Sequence, residues 1–141
     1  MFITLQRNLA ISIIINFIII TMGTITKTQQ EVEAFLQQFM PKFSIWGILF
    51  LDRDKNNETL RQLDMAPHSR EDIIRNLESI DYVETIQDIM SWGDMWVFGK
   101  DVMDKEVYIK IALGNPSSNT ICISFHLAEY PINYAFKQKG D

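Results

Sequence analysis

Two stretches in the last third of the chain show a nearly ideal alternation between the residues of an apolar face and those of a more polar face. The first spans residues 105–113 and the second spans residues 120–127. Because successive side chains of a β-strand point to opposite faces, a period of two predicts strands with one buried face each. The intervening residues 114–119 (GNPSSN) favour a turn. The pattern predicts an antiparallel hairpin, and any fold proposed for the chain must contain it.

Before this hairpin, apolar residues recur at the spacing of helices. In residues 28–40 they lie at positions i, i+3, i+4 and i+7, which predicts a helix that ends at Pro41. Residues 43–51 are aromatic and β-branched, and they predict a strand with a bulge at Gly47. Residues 58–65 predict a second, short helix.

A third helix is predicted to begin at Ser69, because Asp72 three residues later completes a capping box. Another strand is predicted at residues 95–98, next to the hairpin. Helices therefore come first and a mainly antiparallel sheet follows, which defines the α+β class. At 141 residues the chain has the usual size of one domain, and we assign residues 22–141 to a single small α+β domain.

The N-terminal residues 1–21 are assigned to a separate apolar extension. Ten of the twelve residues 9–20 are apolar, which is fewer than the roughly 18 to 20 that a membrane-spanning helix needs. No cleavage site with small residues follows directly. Three interpretations remain: translation starts at Met22, the segment is a membrane anchor, or it is a signal peptide. We prefer the first, because nothing downstream is typical of a secreted protein, and expect a membrane partner only if the extension is retained.

The charge of the chain limits how it could bind nucleic acid. The net charge of −5 argues against binding through a strongly basic surface. Residues 22–94 carry seven basic and thirteen acidic side chains, whereas residues 95–141 carry five of each. We therefore expect any RNA to bind the C-terminal half. The candidate docking lysines on its sheet face are Lys100, Lys105, Lys110, Lys137 and Lys139.

The hairpin brings four polar side chains to one sheet face. If the apolar faces of both strands cover the same core, Tyr108 pairs with His126 and Lys110 pairs with Ser124 on the outward face. Directly opposed residues have Cβ atoms about 4.5 to 5.5 Å apart. RNA cleavage through the 2′-hydroxyl requires a base, an acid and a cation, which His, Tyr and Lys can supply. The alternative is an ordinary solvent-facing sheet surface without chemistry.

The single cysteine, Cys122, excludes a disulfide within the chain and indicates a reducing compartment. The alternation of the last strand places Cys122 on the outward face and Ile121 and Ile123 on the core face.

No metal ion or cofactor is predicted. The acidic pairs Asp52/Asp54 and Asp101/Asp104 lack the regular ligand spacing of a calcium loop. We interpret both pairs as solvated turns.

Three segments resemble the MqsR family of toxins of type II toxin–antitoxin systems. They are residues 95–100 (MWVFGK), 106–111 (EVYIKI) and 121–126 (ICISFH), and the similar tail contains residues 128–131 (AEYP) and 134–137 (YAFK). The resemblance implies a RelE-like fold and a cytoplasmic, ribosome-independent endonuclease that cleaves mRNA. It also implies a cognate antitoxin as a protein partner.

Residue by residue, the family's tyrosine and lysine correspond to Tyr108 and Lys110, whereas His126 replaces a family lysine. Glu84 and Val97 stand where the family has lysine and glutamine. We expect His126 to act as base or acid, Tyr108 to position or protonate, and Lys110 to stabilise the transition state. The alternative is a non-catalytic protein-interaction domain of the same fold, which the two departures and the net acidity favour. The expected RNA-binding residues are Lys100, Ser124, Tyr134 and Lys137.

Overall fold

The structure, a computed structural model, describes residues 6–13, 23–88 and 93–137. The assignment of an apolar extension therefore lies mostly outside the described residues, as does the docking role of Lys139. Residues 6–13 form a helix, α1. The other helices are α2 (Gln29–Trp46), α3 (Asp54–Gln62) and α4 (Ser69–Arg75), and a 3-10 turn follows at Ser79–Asp81. The strands are β1 (Thr24–Ile25), β2 (Ile48–Phe50), β3 (Tyr82–Ile86), β4 (Met95–Val102), β5 (Lys105–Ala112) and β6 (Thr120–Leu127).

The six strands form one sheet in the order β1-β3-β4-β5-β6-β2. Neighbouring strands are antiparallel except β2 and β6, which run parallel. The prediction of an α+β fold, with N-terminal helices followed by a mainly antiparallel sheet, is confirmed. None of the described helices is long and apolar enough to cross a membrane.

We call the sheet face covered by α2 and α4 the inner face. Its core is aromatic: the ring of Phe35 stacks on Trp96 with centroids 4.2 Å apart, and Tyr82 lies edge-on to Phe98 at 5.8 Å. Such pairs add to the stabilisation that burial of apolar area provides. The buried aromatic side chains of this core are Phe35, Phe39, Phe43, Tyr82, Phe98 and Phe125.

The β5–β6 hairpin has the predicted register near its open end, where Tyr108 lies opposite His126. Between Ser124 and Cys122, on the side of the turn, a β-bulge in β6 shifts the register by one residue, so that Ile111 pairs with Cys122. A bulge places two residues opposite one and changes the face on which the following side chains lie. The prediction that Cys122 faces outward is therefore wrong, because it lies in the inner core and is only 1% exposed.

The same bulge separates Ile121 and Ile123 from the inner core, so their predicted place on the core face is also wrong. They form a small apolar cluster with Met95 and Ala112 on the other side of the sheet. Strict alternation predicts the face of a side chain only where no extra residue interrupts the ladder.

Helix α2 continues through Pro41, so the prediction that it ends there is wrong. Phe39 and Phe43 on either side are buried in the core, and their packing outweighs the cost of the missing backbone N–H of the proline. The helix ends at Gly47, whose φ of +78° favours glycine. This residue is a helix cap and not the predicted bulge, and the predicted strand shortens to Ile48–Phe50.

The second and third predicted helices both form. Helix α3 (Asp54–Gln62) overlaps the predicted range, residues 58–65, but begins four residues earlier and ends three residues earlier. Helix α4 begins at Ser69 as predicted, but no side chain caps it, so the capping box with Asp72 is absent. The backbone turn before α4 supplies acceptors instead, as in the bond from the N–H of Ser69 to the carbonyl oxygen of Ala66 at 3.0 Å.

Candidate functional site

An open groove of about 800 Å³ lies on the outer face of β5 and β6, and we call it the outer groove. Its floor is the polar surface of the hairpin, and its walls are the start of α3 and the C-terminal tail, residues 128–137. Ligands commonly bind in concave sites with a few convergent polar groups. The polar side chains that line it include Arg53, Lys55, Glu84, Tyr108, Lys110, Ser124, His126, Glu129, Tyr130 and Asn133.

At the centre of the groove, Tyr108 and His126 stack face to face. Their ring centroids are 5.1 Å apart and the ring planes differ by 17°. Lys110 lies opposite Ser124, and its Nζ is 5.8 Å from the centre of the Tyr108 ring. The structure thus brings together the three candidate catalytic residues and one of the candidate RNA-binding residues.

The hydrogen bond of His126 determines which of its ring nitrogens is free. Nδ1 lies 3.0 Å from the carbonyl oxygen of Leu127. A carbonyl oxygen can only accept, so Nδ1 carries the proton of the neutral ring. Nε2 keeps its lone pair and can accept a proton from a bound ligand.

Helix α3 is fixed to β6 by two buried polar side chains. Asn56 donates from Nδ2 to the carbonyl oxygen of Ile123 at 3.1 Å and accepts from the N–H of Phe125 at 3.0 Å. Thr59 accepts through Oγ1 from the N–H of Leu127 at 2.9 Å. These bonds satisfy backbone groups of β6 that the short strand β2 does not reach.

This docking brings Arg53, just before α3, to the groove. Its Nη1 donates to Ser124 Oγ at 3.3 Å, and Lys55 lies on the same wall. Neither basic residue is predicted from the sequence to belong to the site. Residues 52–57 have the composition of a solvated turn, and nothing in the sequence marks Asn56 as buried.

Partial burial shifts the pKa values of two groove residues. Burial raises the pKa of Tyr108 to about 12, and the carboxylate of Glu84 adds to this rise. Burial, together with the guanidinium of Arg53, lowers the pKa of Lys110. Tyr108 therefore stays a phenol that can donate a proton at neutral pH, and Lys110 releases its proton more readily than an exposed lysine.

Glu84, Val97 and Lys110 lie side by side on three neighbouring strands, β3, β4 and β5. Val97 in β4 pairs with Glu84 on one side and with Lys110 on the other. Val97 therefore lies next to the lysine of the groove, and Glu84 lies one strand further from it. The carboxylate of Glu84 opposes the lowering of the Lys110 pKa and makes the floor less positive.

Lys100 and Lys137 lie outside the outer groove. The alternation of β4 turns Lys100 toward the inner face, where its Nζ is 2.9 Å from Asp81 Oδ2. Lys137 Nζ is 3.9 Å from the other carboxylate oxygen of Asp81. The prediction that both lysines share one docking face with Lys110 is wrong, because the buried carboxylate of Asp81 holds them elsewhere.

The tail is held against the sheet by Glu106. Its carboxylate oxygens accept from the N–H of Ile132 at 2.8 Å and from the Tyr134 hydroxyl at 3.1 Å. From the side of α3, Lys55 forms an ion pair with Glu129. Tyr134 therefore positions the tail and does not itself line the groove.

Among the described residues, no three His, Cys, Asp or Glu side chains are grouped so that they could hold a metal ion. No protein-family model matches the chain, and no curated protein or solved structure gives a significant match, so the outer groove itself is the basis for a functional assignment.

Proposed function

We propose that this chain is an MqsR-like toxin, an endoribonuclease that cleaves mRNA without a metal ion and is neutralised by a cognate antitoxin. The observation that supports this most is the stacked pair of Tyr108 and His126 beside Lys110 and Arg53. These residues can supply the base, the acid and the cations that cleavage of an RNA phosphodiester needs. DNA lacks the 2′-hydroxyl and is not a substrate for this chemistry.

In the proposed reaction, His126 Nε2 takes the proton of a ribose 2′-hydroxyl. The 2′-oxygen attacks the adjacent phosphorus, and the bond from phosphorus to the 5′-oxygen of the next nucleotide breaks. Tyr108 gives its proton to that leaving oxygen. The products are a 2′,3′-cyclic phosphate and a 5′-hydroxyl, and proton exchange with water restores the phenol and the neutral imidazole.

Lys110 and Arg53 stabilise the transition state of this reaction. Negative charge grows on the phosphorus oxygens, and cations already in place in a partly buried site stabilise that charge better than water does. Ser124 orients Arg53 through its hydroxyl. The ion pair of Lys55 with Glu129 is exposed and therefore weak, so a flanking phosphate can displace the carboxylate.

A non-catalytic interaction domain is the second candidate. The carboxylates of Glu84 and Glu129 line the groove and oppose the approach of an RNA backbone. Exposed apolar side chains at Ile45, Trp46 and Leu49, next to the edge strand β2, are accessible to a protein partner. Both candidates include a protein partner, so only cleavage separates them.

The decisive test compares His126→Ala with His68→Ala, a change in the other histidine of the chain. His68 is exposed before α4 and does not line the outer groove. Each protein, expressed from Met22, is incubated with single-stranded RNA in EDTA, and new 5′ ends are mapped. Loss of the base should slow cleavage by about 10²- to 10⁴-fold, whereas His68→Ala should cleave like the unmodified chain.

The same proteins are then compared in bacteria and by thermal unfolding. The unmodified chain and His68→Ala should arrest growth, and His126→Ala should not, while all three keep similar melting temperatures. Equal cleavage by the two variants, or no cleavage by the folded unmodified chain, would contradict the ribonuclease proposal and favour the interaction domain.

A further inference from the structure

Beside the outer groove lies a second depression that the proposed chemistry does not use. Its volume is about 390 Å³, and it shares with the groove the tail residues 128–131. Its other lining residues are Lys105, Glu106 and Leu127. The tail thus forms a ridge between the two cavities, and Tyr130 borders both of them.

Tyr130 is an exposed aromatic residue on a fixed segment. It is 80% exposed, and within the described part of the chain its ring and hydroxyl have no partner. The segment is held on either side of Tyr130, by the bond from the N–H of Ala128 to the carbonyl oxygen of Glu106 at 2.9 Å and by the bond from the N–H of Ile132 to the Glu106 carboxylate. Sites for single-stranded nucleic acid use accessible aromatic side chains to stack bases.

Lys105 gives the depression a cation. It is exposed at the start of β5 and, among the residues that the structure describes, it pairs with no carboxylate. The two acidic residues that line the depression contact other groups, since Glu106 bonds the tail and Glu129 pairs with Lys55. A phosphate that enters the depression therefore meets an available ammonium group.

We propose that this depression is a subsite for a nucleotide that flanks the cleaved bond, with its base stacked on Tyr130 and its phosphate paired with Lys105. The proposal rests on the ribonuclease function of the outer groove and requires an RNA strand long enough to cross the ridge. Every base has a stacking face, so the subsite adds affinity with little sequence preference. A duplex keeps its bases stacked and does not fill it.

The test measures binding of fluorescein-labelled RNA strands of three and six nucleotides, fully 2′-O-methylated so that no 2′-hydroxyl can attack. Tyr130→Ala should weaken binding of the six-nucleotide strand by about 5- to 150-fold, the effect of one stacked base, and weaken binding of the three-nucleotide strand by a clearly smaller factor, because Tyr130 only borders the outer groove. Tyr130→Phe keeps the ring and should bind both strands like the unmodified chain. Lys105→Ala should reduce the salt slope of log Kd by about 0.7.

These strands are not cleaved, so the result does not depend on the chemistry of His126. If the unmodified chain and Tyr130→Ala bind the longer strand equally well, the subsite is overturned while the ribonuclease proposal stands. Equal weakening by Tyr130→Ala and Tyr130→Phe would overturn stacking as its basis. If the folded unmodified chain binds neither strand, the subsite and the ribonuclease proposal both fail.

Discussion

The two faces of strand β5 share one backbone and differ in what their side chains do. Val107, Ile109 and Ile111 point inward and are fully buried, whereas Tyr108 and Lys110 point into the outer groove and are half-buried. The inner face gains free energy by removing apolar area from water. At neutral pH the outer face contributes a cost instead, because burial disfavours the charged ammonium of Lys110. Substitutions on the inner face should therefore change mainly stability, and substitutions in the outer groove should change mainly the proposed chemistry.

A substitution on the inner face should change the free energy of unfolding most. Phe98→Ala removes a fully buried ring that packs against Phe35 and Tyr82. The free energy of unfolding should fall by about 3–5 kcal/mol in urea denaturation. Cleavage per folded molecule should persist, because no groove residue changes. A variant as stable as the unmodified chain would show that the inner face is not what stabilises the fold.

Lys110→Met should have the opposite effects, with cleavage lost and stability kept. Removing the cation should slow RNA cleavage by about 10²- to 10³-fold. The melting temperature should stay the same or rise by up to about 3 °C, because burial disfavours the ammonium group. Lys110→Arg, which keeps the charge, is the matched control and should recover part of the activity. If Lys110→Met melts well below the unmodified chain, the outer face also contributes to the stability of the fold.

Because of Tyr108, the free energy of unfolding should depend on pH in the alkaline range. Its pKa is about 12 in the fold against 10.0 in the unfolded chain, so unfolded molecules lose this proton first as pH rises. The stabilisation is fully present below pH 10 and is lost as pH rises from 10 toward 12. Urea denaturation should show a steeper loss of stability over this range for the unmodified chain than for Tyr108→Phe. Parallel curves for the two proteins would contradict the burial of the phenol.

The smallest effect is expected at the rim of the groove. Glu129→Gln breaks the exposed ion pair with Lys55, and such pairs contribute little to stability. The melting temperature should not change measurably. Binding of non-cleavable RNA should become more salt-dependent, by about 0.7 in the slope of log Kd, because Lys55 is then free for a phosphate. Destabilisation by this variant would mean that the tail wall depends on the ion pair.

The register of the hairpin could be predicted from the sequence because two local rules agree. A period of two and a short turn leave few ways to pair the strands, and the opposition of Tyr108 and His126 follows. The bulge could not be predicted, since no glycine or proline marks it. Asn56, 67 residues before Ile123, bonds to the backbone there, and such a contact leaves no local pattern.

Contacts between distant parts of the chain also account for the wrong end of α2 and for the unpredicted place of Arg53. Pro41 is a local signal for the end of a helix, but the burial of Phe39 and Phe43 is a tertiary effect that overrides it. Arg53 belongs to the groove only because α3 docks on β6. The side chains that one hairpin places together on the groove face could therefore be predicted. The residues that other elements bring to the groove, such as Arg53, could not.

The pairing of β2 with β6 determines when the groove can assemble during synthesis. Strand β2 is made early, yet its neighbour in the sheet is the last strand, with Ile48 opposite Thr120. Arg53 and Ser124 are likewise brought together from distant parts of the chain. Closing so long a loop is slow because its entropy cost precedes any contact. A ribosome-bound chain therefore has no complete outer groove until β6 has emerged, long after β2 and the start of α3.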